Sequence, residues 1–175
     1  LDSYYAGIKP VMLSELMCYG QITGMFTFYT MEANYNTLNN AEELGHTACH
    51  ELSHMTGFMR EDEANFISYM ATLGSDSVQV RYSGCLSALE YVHNQVYKNG
   101  VEKAYYLTGE ISEQVTSDWF RFMPDGYWEE NEDKEVLSTE TVAAVSSSAS
   151  DTSMKLNGVS DGIESYSRMV SLLLD

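Results

Sequence analysis

His50 and His54 stand four positions apart in the run His50-Glu51-Leu52-Ser53-His54. Two imidazoles at that spacing reach one point from one face only where the backbone is α-helical, because a turn takes 3.6 residues. The surrounding window suits a helix. Leu44, Ala48 and Leu52 supply apolar positions, Glu42 and Glu43 match the positive end behind the cap candidates Asn39 and Asn40, and Gly57 can stop the helix. The rest of the chain must pack around this segment.

Downstream, the pattern predicts a second helix over Met59 to Leu73. A third is capped by Asp76, carries Leu86, Leu89, Val92 and Val96 on its buried side, and ends near Asn99 and Gly100. Gly84 in that helix allows close packing. Upstream, Pro10 can open a short helix whose Val11, Leu13, Leu16 and Met17 face the core, with Gly20 closing it. Between them, Gln21 to Thr30 is rich in β-branched and aromatic residues, which predicts a strand leading into a loop at Asn34, Asn36, Asn39 and Asn40. Further helices are expected over Val115 to Phe122 and Asp161 to Leu174, separated by the acidic stretch Glu129 to Glu135. The serine-rich Val145 to Ser153 suits a mobile connector. With 175 residues, 44% of them hydrophobic, the chain can bury one sizeable core, so residues 1–175 read as a single domain. The expected class is mainly α with a small β-sheet (α+β).

Nine basic against 26 acidic side chains give a net charge of -17, which repels a phosphate backbone and argues against nucleic acid as a partner. Cys18, Cys49 and Cys85 are an odd number without a close pair, so neither a disulfide framework nor a cysteine zinc knuckle is indicated. Cys49, beside His50, points about 100° away from it and reads as a packed thiol. No run of about 18 apolar residues occurs, so these residues carry no membrane span; any anchor or targeting segment would lie upstream of Leu1.

The histidine pair carries the chemistry. Both rings can bind one zinc ion, and Glu51 between them can take a proton from a zinc-bound water and hand it to a leaving amine. A third protein ligand is needed, and Glu61, Asp62 and Glu63 all begin the second helix. Glu61 shares its face with the small or polar Ala64, Asn65 and Ser68, whereas the same offsets from Glu63 give Phe66, Ile67 and Met70, which read as core. His46 lies one further turn from the metal and reads as packing, with lining of the cleft as the alternative; His93 reads as packing too. Tyr82 or Arg81 could donate to the developing oxyanion.

HELSH followed by EDEAN resembles the gluzincin pattern, HExxH with a downstream Glu-x-x-Ala-Asn helix. The resemblance implies Glu61 as the zinc ligand and Asn65 as a partner that orients a ligand histidine. Residues 55–60 make a shorter link than in many gluzincins, so Gly57 must reverse the chain tightly. A metzincin HExxHxxGxxH would need histidine at Arg60, and arginine cannot ligate zinc. More closely, FYTMEANYN, the HELSH-to-EDEANF block, RYSG and DGIESYSRMVSLLLD resemble a family of membrane-anchored bacterial proteins of unknown function described as zinc peptidases. That implies transmembrane helices upstream and an extracytoplasmic domain. The combined reading is a zincin-like, zinc-dependent metallopeptidase acting on a peptide or protein substrate, with His50, His54 and Glu61 on Zn2+, Glu51 as base and Tyr82 as candidate oxyanion donor. Two rivals are a zinc-binding sensor or scaffold without turnover and a helical interaction domain without metal. Because the β-rich segment directly precedes the metal helix, Met25 to Tyr29 is expected to form an edge strand to which an extended peptide adds.

Overall fold

Lys9 and Pro10 form the first regular element, strand β1 (Lys9–Pro10), in the computed structural model, which describes residues 6–100, 109–121, 127 and 168–174. β1 runs parallel to β3 (Glu32–Tyr35), with Lys9 opposite Asn34 and Pro10 opposite Tyr35, and β2 (Gly24–Thr27) pairs antiparallel to β3 on its other side. The order β1-β3-β2 leaves β2 at an edge. Proline has no backbone donor and is tolerated on an outer strand; the next residue, Val11, donates its N–H to Tyr35 O at 3.0 Å. This pairing overturns the helix expected to open at Pro10. Helix α1 covers only Ser14–Tyr19 and closes at Gly20 as expected. The buried Ser14 sets its start: Oγ donates to Val11 O at 2.7 Å and accepts from Thr37 N–H at 3.0 Å. The late start also rotates the predicted core face, so Met17 and Cys18 are buried while Leu13 and Leu16 are 64% and 63% exposed.

The single strand expected over Gln21 to Thr30 contracts to β2, turns through residues 28–31 and returns as β3. Asn34 and Asn36, which read as loop residues, are the central strand and its exit. Asn34 Nδ2 donates to Glu32 O at 3.1 Å; the fully buried Asn36 donates to Ile22 O at 3.1 Å and accepts from Leu38 N–H at 3.0 Å. Short amides that favour turns here satisfy backbone groups around a strand instead.

Five helices follow: α2 (Leu44–Met55), α3 (Glu61–Leu73), α4 (Val78–Asn99), α5 (Glu113–Phe120) and α6 (Met169–Leu174). Neither Asn39 nor Asn40 caps α2; Asn39 Nδ2 reaches Glu43 Oε2 at 3.4 Å and Asn40 Nδ2 donates to Arg121 O at 3.0 Å. α4 is capped by Ser77 rather than Asp76, its Oγ accepting from Val80 N–H. Ser112 does the same for α5, which begins two residues before the expected Val115. Of the helix expected over Asp161 to Leu174, the described part is α6, whose fully buried Met169 packs it against α3 and α4. The acidic stretch Glu129 to Glu135 and the connector Val145 to Ser153 lie outside the described residues.

The three long helices meet through small and polar residues. A methyl on Gly45 would lie 3.1 Å from Val80 Cα, and one on Gly84 would overlap Thr72 Oγ1, so the close packing expected at Gly84 is present. Ala64, Ser68, Thr72 and Ser83 are buried at the same crossings. Ser68 Oγ donates to His46 O and Ser83 Oγ accepts from His46 N–H, both at 2.8 Å. Of the expected apolar face of α4, Leu86 is buried and Leu89, Val92 and Val96 are half-buried. The sheet packs on α2 through β2 and β3. The architecture is α+β, mainly helical with one three-stranded sheet. No helix among the described residues is long and apolar enough to cross a membrane.

Candidate metal centre

α2 presents His50 and His54 on one face, their rings edge to face with centroids 4.6 Å apart. The helix then ends in a Schellman motif. Gly57, at φ 107°, donates to His54 O at 3.0 Å and Phe58 donates to Ser53 O at 3.1 Å. That turn aims the Phe58 carbonyl back at the helix, where it accepts from His54 Nδ1–H at 2.7 Å. With Nδ1 carrying the proton, Nε2 of neutral His54 offers a lone pair to the site.

The chain reverses within residues 55–60, and α3 opens with Glu61. Its Oε2 lies 3.1 Å from His50 Nε2 and its Oε1 3.5 Å from His54 Nε2, while the two Nε2 atoms are 3.0 Å apart. Four-coordinate zinc with bonds of about 2.0–2.2 Å holds its ligand atoms roughly 3.3 Å from one another. The donor set therefore fits such an ion in chemistry and spacing, and all three ligand atoms fall within 4.8 Å. Two ring nitrogens 3.0 Å apart beside a carboxylate need a hydrogen or a cation between them, because bare lone pairs would repel.

The electrostatics point the same way. Burial pushes the Glu61 carboxyl up, but hydrogen bonds and charge from His50 and His54 outweigh it and hold the group well below the usual carboxylate range. Burial would depress His54, yet Glu61 and Glu51 raise it above the ordinary histidine value. Glu51 is 6% exposed, and burial raises its pKa against the opposing charges of His50 and His54. The Phe26 N–H of β2 donates to it. Glu63 is turned away, 46% exposed and 3.6 Å from Arg60 Nε, and Asp62 is bound by Arg60 Nη2 at 2.8 Å. The structure thus brings Glu61, and not Glu63, to the two histidines. His50 Nδ1 and Asn65 Nδ2 are buried without a protein hydrogen-bond partner among the described residues, two polar atoms at the interface of the ligand helices.

The sequence profile of a family described as "Protein of unknown function (DUF3810)" matches residues 1–174. The chain belongs to that family. Neither a curated protein nor a solved structure matches it.

Other candidate residues of this DUF3810 chain bond to groups outside the triad. His46 lies with its ring centroid 6.0 Å from that of His50 and its Nε2 3.0 Å from Ser87 Oγ; burial lowers its pKa to about 3. His93 stacks edge to face on Trp119. Tyr82 donates to Asp118 Oδ2 at 2.7 Å, and burial with that carboxylate pushes the phenol up to about 12. Asp118 also accepts from Gln114 and Arg121, so the cluster ties α4 to α5. Arg81 donates to Ser75 O at 2.6 Å. None of these bonds brings Tyr82 or Arg81 to the triad. Burial raises the pKa of the Cys49 thiol, the sign of a packed group. Phe26 lies in the edge strand expected over Met25 to Tyr29, but two contributors to the site had no place in the sequence analysis: Gly24 and the Phe58 carbonyl. Only Gly24 left a signal, as a glycine inside a strand-like run, which marks close approach of another group.

Proposed function

We propose that this DUF3810 chain is a zincin-like peptide hydrolase, with zinc held by His50, His54 and Glu61 and Glu51 acting as general base. The observation that carries the reading is a buried carboxylate, Glu51, on the same helix as two histidines whose ring nitrogens converge with Glu61. Zinc bound there would supply an acidified water ligand and polarise a carbonyl. His54, held by the Phe58 carbonyl, and His50 orient the site. Glu51 would take a proton as the water O–H bond breaks and the water oxygen adds to the carbonyl carbon, and would return it to the amine nitrogen as the C–N bond breaks, a task that suits a carboxyl raised by burial.

An extended peptide has a place to lie. β2 is an edge strand beside α2 among the described residues; Thr23 O accepts from Asn36 N–H at 2.9 Å, and the alternation along the strand turns the backbone groups of Gly24 and Phe26 away from β3, where Glu51 takes the Phe26 N–H and a peptide would pair with the backbone of Gly24 and the Phe26 carbonyl. The Phe26 ring lies 6.2 Å from that of His54, so a peptide added to this edge passes the metal ligands.

Elemental analysis of the purified protein should find one zinc per chain. Glu51→Gln should keep that zinc and lose hydrolysis by roughly 10²-fold or more. A zinc-loaded parent that cleaves no member of a broad peptide library would sink the hydrolase reading in favour of a zinc-binding sensor.

A further inference from the structure

Gly24 is the point where the sheet comes closest to the proposed base. A Cβ built on it would lie 2.7 Å from Glu51 Cγ, 2.7 Å from Glu51 Oε1 and 2.7 Å from Thr47 Cγ2. Real Cβ atoms do not approach other heavy atoms that closely, so the Glu51 side chain occupies space that exists only because β2 has no side chain there. The ladder from Gly24 opposite Tyr35 to Thr27 opposite Glu32 holds β2 to β3, and the Phe26 N–H binds the Glu51 carboxylate, so β2 cannot retreat without giving up both. Glu51 and Thr47 supply the three atoms nearest to that Cβ, ahead of any atom of His50, His54 or Glu61.

We propose that Gly24 is a positioning residue for Glu51: the bare backbone at this step of the edge strand forms the cradle that sets the carboxylate beside the metal site. The proposal rests on the reading of Glu51 as base, but the placement it describes can be tested independently of turnover. Any side chain at position 24 then displaces the base while leaving the metal ligands in place.

The test compares zinc-loaded parent, Gly24→Ala and Glu51→Gln. In crystal structures, Gly24→Ala should move the Glu51 carboxylate away from β2 with His50, His54 and Glu61 unmoved, and chelator competition should give zinc affinity within about threefold of the parent. With a cleavable peptide, kcat should fall by roughly 10²-fold or more while KM stays nearly constant, as for Glu51→Gln. A carboxylate that superimposes on the parent's, or a variant that cleaves at the parental rate, overturns the proposal. So does loss of zinc from a folded variant, because the glycine would then serve the ligands. If Gly24→Ala proves unstable, the same substitution in a Glu51→Ala background decides the matter. A smaller drop in Tm there supports the contact, and an equal drop refutes it. Failure of the parent to cleave any peptide would count against the hydrolase reading alone, since the carboxylate's position is read structurally.

Discussion

Lowering the pH from about 7.5 to about 4.5 should destabilise the metal-free protein by roughly 3 kcal/mol through His46. Burial holds this imidazole neutral in the folded state, with its pKa lowered from 6.5 to about 3. The groups bonded to the residue are hydroxyls, with Ser87 Oγ at Nε2, Ser83 Oγ at the backbone N–H and Ser68 Oγ at the carbonyl, and none supplies a charge to offset protonation. The unfolded chain therefore binds more protons than the folded one between pH 3 and 6.5. Stability rises with pH across that window and is lost as pH falls through it. At pH 4.5 the folded imidazole remains almost unprotonated, so the effect is set by the unfolded state: two pH units below 6.5, at about 1.36 kcal/mol per unit, give the figure above. For a chain of this size that corresponds to roughly 5–11 °C in Tm. Urea unfolding in the presence of a chelator, followed by circular dichroism at each pH for the parent and His46→Gln, reads the residue together with its charge coupling to His50, because titrating groups remote from it cancel in the difference. Parallel curves for the two proteins would refute the reasoning and show that His46 is solvated or paired.

Glu61→Ala should weaken zinc binding by more than the roughly 10–100-fold that loss of an outer-shell partner costs, whereas Glu63→Ala should leave it unchanged; competition with a chromophoric chelator reads both. Gly84→Ala should destabilise by about 1–3 kcal/mol or more, since the added methyl overlaps Thr72 Oγ1 and forces α3 from α4, and the penalty should shrink beside Thr72→Ala in thermal melts. Tyr82→Phe should cost about 1–2 kcal/mol through the lost bond to Asp118 and leave zinc affinity unaltered. Loss of turnover in that variant without loss of stability would instead show that the phenol leaves Asp118 for the substrate.

What could be read from the chain was whatever depends on spacing within one element. His50, Glu51 and His54 share a helix because four residues span a turn, Gly57 ends it because a positive φ suits glycine, and Glu61 and Glu63 diverge by about 200° because two residues separate them. Gly84 was legible too, as a helical residue with no local reason to lack a side chain. Tertiary pairing decided the rest. Pro10 suits a helix opener by itself but is drawn by β3 into a parallel strand, and Asn34 lies in the central strand, with Asn36 at its exit, because β1 and β2, both earlier in the chain, bracket β3. The hydroxyl of Tyr82 was claimed by Asp118, 36 positions away. Glu61 reaches the histidines because α3 is seated by Ala64, Ser68 and Thr72 at crossings too tight for larger side chains. Gly24 meets Glu51 only because the sheet docks on α2. Local spacing determines which groups share a face, but the distance between faces follows from packing among segments remote in sequence, where no periodicity carries a signal.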